Sequence, residues 1–178
     1  MTHDTIVVLA ALGVAGQALF VLLVVLALAW RNGLRAALEG YELWLVFVVS
    51  AIATGGSLFF SEIAHFVPCE LCWFQRICMY PLSIVTLLAA LANDRRVARY
   101  LLPLPFVGAG VSVYHLLVEN GVVAQAQSCL ISAPGGCATK WINEFGYMTI
   151  PTLALTGFAL CFAFLLLSAL PAATVREA

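Results

Sequence analysis

The composition of this chain excludes a water-soluble globular protein. Of its 178 residues, 63% are hydrophobic and 10% are charged, whereas an ordinary soluble domain has about 45–50% and about 25%. A formal net charge of -1 offers no basic face to nucleic acid, and the apolar content excludes intrinsic disorder. The sequence therefore predicts a single integral membrane domain.

Five segments are long and apolar enough to cross a bilayer as helices. A spanning helix needs about 20 mostly apolar residues, and no segment alternates in polarity as a membrane-spanning strand does. The predicted spans are 6–30, 43–66, 73–92, 100–124 and 148–170. No Lys or Arg precedes the first span, so we expect a retained helix and not a signal peptide. We predict an all-α membrane protein with a four-helix transmembrane bundle at 43–170, an extra N-terminal helix and cytoplasmic loop at 1–42, and a cytoplasmic tail at 171–178.

The basic residues predict the orientation of these spans. Only Arg76 and Lys140 fall on one side of the membrane. Six arginines fall on the other: Arg31, Arg35, Arg95, Arg96, Arg99 and Arg176. Because loops rich in Lys and Arg stay in the cytoplasm, we expect the N-terminus outside and the C-terminus inside.

Prolines and small residues indicate how the helices begin and pack. Prolines in a first helical turn cause little disruption, and small residues four apart allow helices to approach closely. The prolines are Pro103, Pro105 and Pro151, and the small pairs are Ala51 with Gly55 and Gly108 with Ser112.

Four of the six cysteines are predicted to lie together on the non-cytoplasmic side, where disulfides form and persist. Cys69 and Cys72 form a Cys-Glu-Leu-Cys motif between the second and third spans, and Cys129 and Cys137 lie between the fourth and fifth. The other two lie within apolar spans and are interpreted as small buried hydrophobic residues: Cys78 and Cys161.

A Cys-x-x-Cys motif is typical of both redox pairs and zinc sites. Here Pro68 precedes the pair and Trp73 opens the third span, which predicts a position near a helix N-terminus. The unpaired N–H groups and the helix dipole favour a thiolate there. Arg76 lies four residues after Cys72, hence on the same helical face, and is expected to stabilise that thiolate. The alternative is an arginine that reaches out to the membrane interface.

The second pair flanks a Pro-Gly-Gly stretch, which suits a tight reversal. Such a reversal brings Cys129 and Cys137 within disulfide range. A purely structural disulfide is one interpretation. Because the two pairs lie on the same face, exchange between them through mixed disulfides is the better one.

The electron acceptor is predicted to be a quinone dissolved in the bilayer, either menaquinone or ubiquinone. The sequence contains no Gly-x-Gly-x-x-Gly and no Cys-x-x-Cys-His motif, which are typical of nucleotide and haem binding. His115, in the outer half of the fourth span, is expected to hydrogen-bond a quinone carbonyl. The alternative partner for His115 is Glu119, one turn further on.

Several motifs occur in one order between residues 50 and 165. They are Ser61-Glu62, Pro68-Cys-Glu-Leu-Cys-Trp-Phe-Gln-Arg76, Met79-Tyr-Pro81, His115, Cys129, Cys137 and Trp141-Ile-Asn-Glu-Phe-Gly-Tyr-Met-Thr-Ile-Pro151. In this order they resemble the disulfide-bond formation proteins of the DsbB/BdbC type, most closely the BdbC branch.

The resemblance implies a quinone-dependent protein-disulfide oxidoreductase with a four-helix core. Cys129 would form a mixed disulfide with a soluble thioredoxin-fold thiol oxidase of the DsbA/BdbD type, and Cys137 would exchange with Cys69. Cys72, with Arg76 beside it, would pass electrons to the quinone. The products would be quinol and a re-oxidised partner that forms disulfides in exported proteins. The first span is additional to the family core, where it packs on the outside of the bundle or contacts a partner.

Three other interpretations compete with this one. Vitamin-K-epoxide-reductase-like proteins also couple thiols to a quinone, but their loop pair usually precedes the Cys-x-x-Cys. A zinc site with four thiolates and a non-catalytic scaffold with two disulfides both use the same four outer cysteines. We predict no metal site.

Overall fold

The chain is helical throughout most of residues 2–169, which are the residues that the computed structural model describes. In chain order the elements are α1 (Thr2–Ala29), α2 (Arg31–Leu38), α3 (Glu42–Leu58), a π-helix (Phe59–Ile63), α4 (Glu70–Leu91), a 3₁₀-helix (Arg95–Val97), α5 (Ala98–Leu101), α6 (Pro103–Glu119), α7 (Gln127–Ser132), a second 3₁₀-helix (Gly136–Ala138) and α8 (Ile150–Ala169). Within 2–169, five helices are long and apolar enough to span a membrane. The predicted all-α, multi-pass membrane fold is confirmed.

Four of the long helices form a bundle, and the fifth lies against it. Around the bundle, α3 packs on α4, α4 on α6, α6 on α8, and α8 on α3. Helix α1 packs along α8, where Gly13 allows close approach because a Cβ there would lie 2.3 Å from Leu153. The predicted arrangement of a four-helix bundle and one extra N-terminal helix is confirmed.

The core of the bundle depends on a close contact between α6 and α8. A Cβ on Gly108 would lie 2.3 Å from the Phe158 ring, as the small-residue pattern predicts. The corresponding prediction at Gly55 is wrong, since a Cβ there would meet no atom within 4 Å. Pro103 and Pro151 lie in the first turns of their helices, as predicted.

Three helix boundaries differ from the predicted spans because local backbone geometry overrides hydropathy. Helix α4 begins at Glu70, ahead of the predicted residue 73, because Cys69 caps it. Helix α6 ends at Glu119, ahead of residue 124, and Gly121 follows in the left-handed region with φ +71°. The π-helix after α3 ends at Ile63, and His65 then adopts φ 55°. Leu170, Arg176 and the predicted tail at 171–178 lie outside the described residues.

The two ends of the bundle differ in chemistry. The arginine end contains Arg31, Arg35, Arg95, Arg96 and Arg99, and the cysteine end contains Cys69, Cys72, Cys129 and Cys137. At the arginine end, Arg95 pairs with Glu39 at 3.4 Å and with Glu42 at 2.5 Å. These pairs join the segment after α4 to the loop that follows α2 and to the first residue of α3.

Candidate functional site

The Cys-x-x-Cys pair lies at the N-terminus of α4. Cys69 is the N-cap, with extended backbone (φ -76°, ψ 172°), and its Sγ accepts a hydrogen bond from the Cys72 N–H at 3.4 Å. The sulfur atoms of Cys69 and Cys72 are 2.8 Å apart and both cysteines are free. A helix N-terminus presents unpaired N–H groups, so this position favours negative charge on sulfur, as the sequence predicted.

The second pair is joined by a disulfide across a tight reversal. Gly135 and Gly136 have φ of 77° and 72°, values in the left-handed region that glycine adopts without strain. The reversal brings the Cα atoms of Cys129 and Cys137 within 5.3 Å. The prediction that the Pro-Gly-Gly stretch brings these residues into disulfide range is confirmed. Their side chains are only 2% and 1% exposed, so the bond is shielded from solvent.

A serine on α7 fastens the disulfide loop to the N-terminus of α4. The Ser132 hydroxyl accepts a hydrogen bond from the Glu70 N–H at 3.1 Å and donates one to the Cys129 carbonyl at 2.9 Å. One of the free N–H groups of α4 is thereby paired with the second cysteine loop. The two cysteine pairs consequently belong to one cluster of contacting residues.

The His115 ring lies between the two cysteine pairs. Its Nε2 is 3.7 Å from the Cys69 sulfur and 3.1 Å from the Cys137 carbonyl oxygen, and its Nδ1 is 3.4 Å from the Gln75 amide nitrogen. A carbonyl only accepts and an amide N–H only donates, so these partners select the tautomer with hydrogen on Nε2. His115 is therefore positioned to donate to the Cys137 carbonyl or to the Cys69 sulfur.

These contacts stabilise a thiolate at Cys69. The hydrogen bond from the Cys72 thiol, and after it the hydrogen bond from His115, lower the pKa of Cys69 from 9.0 to about 4 against the opposing effect of burial. The sequence predicts that the stabilised thiolate is at Cys72, beside Arg76. In the structure, the sulfur that accepts hydrogen bonds at the helix N-terminus is that of Cys69.

Two cavities border Cys72. The larger one is mainly apolar, has a volume of about 360 Å³ and lies among α1, α3, α4 and α8. Cys72, Gln75 and Arg76 provide polar groups on its α4 side. At the cysteine end it is bordered by three stacked aromatic rings, with successive centroids 6.0 Å and 5.1 Å apart: Phe60, Phe66 and Trp141. Its volume lies within the range of about 300–1,000 Å³ that is usual for small-molecule sites.

Arg76 is held inside this cavity by α3. Its Nε donates to the Ser57 hydroxyl at 2.9 Å, and its Nη2 donates to the Ser57 carbonyl at 3.0 Å. The Tyr80 hydroxyl donates to the same serine at 3.3 Å, and the Arg76 guanidinium lies 5.2 Å from the centroid of the Trp73 ring. These contacts fix the guanidinium among protein groups, in contrast to the alternative in which it reaches out to the membrane interface.

The structure brings all six predicted site residues together, with four of them around the Cys-x-x-Cys pair, and adds others. Arg76 and Cys72 line the larger cavity. His115 lines a smaller pocket, with Cys69, Cys72 and Cys137, and Glu119 accepts a hydrogen bond from Thr149. Cys129 is in contact with the same cluster. Cys78 and Cys161 are 7% and 0% exposed within the core, as predicted.

Sequence reasoning missed three residues that hold the site together: Ser57, Gln75 and Tyr80. Gln75 and Tyr80 lie inside the motifs on which the family resemblance rests, and this position could have indicated a role in the site. Ser57 lies in an apolar span on another helix, where a single serine has no local pattern that points to a role.

The alternative of a zinc site with four thiolates does not match the arrangement found. Cys129 and Cys137 are bonded to each other, which leaves a smaller group of possible metal ligands. Among the described residues this group consists of Cys69, Cys72 and His115, whose ligand atoms lie within 4.8 Å of one another.

The fold and the site define a multi-pass membrane protein in which two adjoining cysteine pairs are arranged for thiol–disulfide exchange. Residues 40–168 match the family of the disulfide bond formation protein DsbB. The chain therefore belongs to the DsbB family, which confirms the resemblance predicted from the motifs, and its general activity is membrane disulfide oxidation.

The chain also matches individual members of this group over most of their length. It is 44% identical over 126 residues to the disulfide bond formation protein C of Bacillus subtilis (strain 168), covering 70% of this chain and 90% of the relative. It is 42% identical over 133 residues to a probable disulfide formation protein of Deinococcus radiodurans, covering 70% and 86%. A probable disulfide formation protein of Coxiella burnetii is 36% identical over 132 residues, covering 74% and 89%. No solved structure gives a significant match.

Proposed function

We propose that this protein re-oxidises a soluble thioredoxin-fold thiol oxidase outside the cytoplasm and passes the electrons to a membrane quinone. One observation carries the proposal. Cys69 and Cys72 share the smaller pocket with Cys137, and Cys72 also lines the larger apolar cavity together with Arg76. The Cys-x-x-Cys pair thus lies between the loop cysteines and the apolar cavity. This position suits electron transfer from the reduced loop cysteines to an acceptor bound in the cavity.

In the first step the partner is oxidised by the loop pair. A thiolate of the partner attacks the Cys129 sulfur, which breaks the Cys129–Cys137 bond and releases Cys137 as a thiolate. The second thiolate of the partner then attacks its own mixed sulfur, which completes the partner disulfide and releases Cys129. Because Cys129 is 2% exposed, this step requires α7 to move away from α4, where Ser132 holds it.

In the second step the electron pair moves to the Cys-x-x-Cys pair in its disulfide form. The Cys137 thiolate attacks the Cys69 sulfur and breaks the Cys69–Cys72 bond, and Cys72 leaves as a thiolate. Cys129 then attacks Cys137, re-forms the loop disulfide and releases Cys69. A thiol of low pKa is a good leaving group. Once Cys72 has taken up a proton, the hydrogen bonds from Cys72 and His115 lower the pKa of Cys69, which favours this release.

In the last step the Cys69 thiolate and the Cys72 thiol close to a disulfide, which releases two electrons and one proton. The cavity beside Cys72 would hold a quinone as the acceptor, and its reduction to quinol would take up these electrons, this proton and a second proton from water. The residues present fit such a group, because the cavity is mainly apolar and Arg76 and Gln75 place N–H donors beside Cys72. Arg76 would stabilise negative charge next to the Cys72 sulfur. Gln75 lies between His115 and the cavity. We therefore propose that His115 hydrogen-bonds the Cys69 sulfur and the Cys137 carbonyl and does not contact the quinone.

We also propose that the cysteine end faces the exterior and the arginine end the cytoplasm. Five arginines of the described chain lie at the arginine end, and the positive-inside rule places such loops in the cytoplasm. The N-terminus is then outside. This orientation gives a soluble partner outside the cytoplasm access to Cys129.

The experiment that tests the proposal is anaerobic quinone reduction by detergent-purified protein supplied with a dithiol. Wild type is expected to catalyse the reduction and Cys72→Ser to abolish it. Cys78→Ser is the matched control, because Cys78 lies on the same helix inside the core, and it is expected to behave as wild type. Equal rates for wild type and Cys72→Ser would refute the relay.

A metal-binding role is the second candidate, because Cys69, Cys72 and His115 form a three-ligand group. Three ligands are sufficient for a zinc site that keeps one open position. Metal analysis of protein purified without added zinc separates the two functions. One zinc ion per wild-type molecule, and none in Cys69→Ser, would favour the metal-binding role.

A further inference from the structure

We propose that α1, which lies outside the family match at residues 40–168, forms one wall of the quinone site and contacts the apolar part of the quinone. The inference rests on the proposed function, since it concerns the same cavity. Six residues of α1 line this cavity: Leu9, Leu12, Gly13, Ala15, Gly16 and Leu19. Most of them recur at intervals of three or four, which places them along one side of a helix.

Helix α1 is fixed against α8 by small residues and by hydrogen bonds. A Cβ on Gly16 would lie 3.0 Å from the Thr156 methyl group, which leaves little space between the helices. The Gln17 amide nitrogen donates to the Thr156 hydroxyl at 3.3 Å, and the Tyr147 hydroxyl donates to the Gln17 amide oxygen at 3.0 Å. Glycine at such an interface lets two membrane helices approach closely. The position of α1 is therefore set by specific contacts.

Helix α1 also reaches the other side of the cavity. The Leu9 side chain lies 3.4 Å from the position that a Cβ on Gly56 of α3 would occupy. Contacts on both α3 and α8 mean that α1 covers the side of the cavity that would otherwise face lipid. A fixed wall keeps the site pre-organised, which reduces the entropy lost when an apolar ligand binds.

The α1 wall is at the same time the edge of an opening toward the bilayer. Leu12 and Leu19 line the cavity yet remain 49% and 41% exposed. A quinone that arrives from the membrane would pass these side chains before it reaches Cys72 and Arg76. Substitutions on this face of α1 should therefore alter quinone binding without altering thiol–disulfide exchange.

The test compares Leu12→Phe with Leu22→Phe in the full chain. Both leucines lie on α1 and are similarly exposed, at 49% and 52%, but only Leu12 lines the cavity. Binding of decylubiquinone is measured by the rise in Tm that it causes in detergent-solubilised protein, and its KM is measured with a dithiol. We expect the larger ring at position 12 to occupy space that the quinone would fill and so to weaken binding about fivefold or more. Leu22→Phe should behave as wild type.

A second measurement does not depend on a substitution. An azide-bearing photoreactive analogue of decylubiquinone is bound to wild type, and the labelled peptides are identified by mass spectrometry. Label on residues 9–19, removed by competing decylubiquinone, would support the α1 wall. Label confined to α3, α4 and α8, together with equal binding by the two phenylalanine variants, would overturn it.

The failure of this inference is distinguishable from the failure of the proposed function. If wild type neither binds decylubiquinone nor reduces it, the quinone relay itself is wrong. If wild type does both and α1 is neither labelled nor sensitive at Leu12, only the inference is wrong. The rate at which a dithiol reduces the Cys129–Cys137 disulfide without quinone serves as the control for folding, and it should be equal in all variants.

Discussion

Ser57 is expected to act on the quinone step mainly through Arg76. Replacing Ser57 with alanine removes the hydroxyl that accepts hydrogen bonds from Arg76 Nε at 2.9 Å and from the Tyr80 hydroxyl at 3.3 Å. The bond from Arg76 Nη2 to the Ser57 carbonyl at 3.0 Å is retained. The guanidinium therefore keeps one attachment to α3 but loses the contact that fixes its direction.

The magnitude follows from the bond that is lost. A hydrogen bond to a charged group contributes about 1.5–3 kcal/mol. Because one attachment of Arg76 remains, we take the lower part of this range, about 1.5–2 kcal/mol, which corresponds to a decrease of about tenfold to thirtyfold. We expect this decrease in kcat/KM for the quinone, and no change in the rate of exchange between the dithiol and the Cys129–Cys137 disulfide.

The assay is a double-mutant cycle with Ser57→Ala and Arg76→Met. If Ser57 acts by positioning Arg76, Ser57→Ala has little further effect once Arg76 is replaced, since the two effects belong to one interaction. Ser50→Ala is the matched control. Among the described residues, the Ser50 hydroxyl bonds only within α3, to the Phe47 carbonyl at 3.0 Å. Fully additive effects of Ser57→Ala and Arg76→Met would refute the reasoning.

Two further predictions concern the thiolate and the packing of the bundle. His115→Leu removes a hydrogen bond that lowers the pKa of Cys69, so we expect that pKa to rise. Methyl methanethiosulfonate should then methylthiolate reduced Cys69 more slowly at mildly acidic pH, and His3→Leu is the control. The stabilising contribution of this thiolate to the reduced fold is complete above pH 9.0 and is lost as the pH falls through about 4; unchanged pH dependence in the variant would contradict the assignment. Gly108→Leu places side-chain atoms against a ring on α8 that is 2.3 Å from the Cβ position, and should lower the stability by about 1–3 kcal/mol, measured as a lower Tm. Gly110→Leu, where a Cβ meets no atom within 4 Å, should have a much smaller effect, and equal losses would count against close packing at Gly108.

The sequence by itself determined the membrane class, the number of spans, the common end of the bundle at which both cysteine pairs lie, and the tight reversal. Each of these depends on residues close together in the chain. A span is a continuous run of apolar residues, and the reversal between Cys129 and Cys137 requires only glycines that tolerate positive φ. The apolar run alone does not fix the exact end of a span, as Cys69 shows, because a capping side chain can start a helix before that run begins.

Only the tertiary structure decided which groups meet across the bundle. Ser57 reaches Arg76 because of the rotation of α3 against α4, and His115 lies between the cysteine pairs because of the way α6 packs beside α4. No local pattern encodes such a rotation, because apolar spans are hydrophobic on all sides and lack the polar face that orients a helix in a soluble protein. For the same reason, α1 could be predicted as an extra helix, but its position as a wall of the cavity beside Cys72 emerged only from its packing against α8.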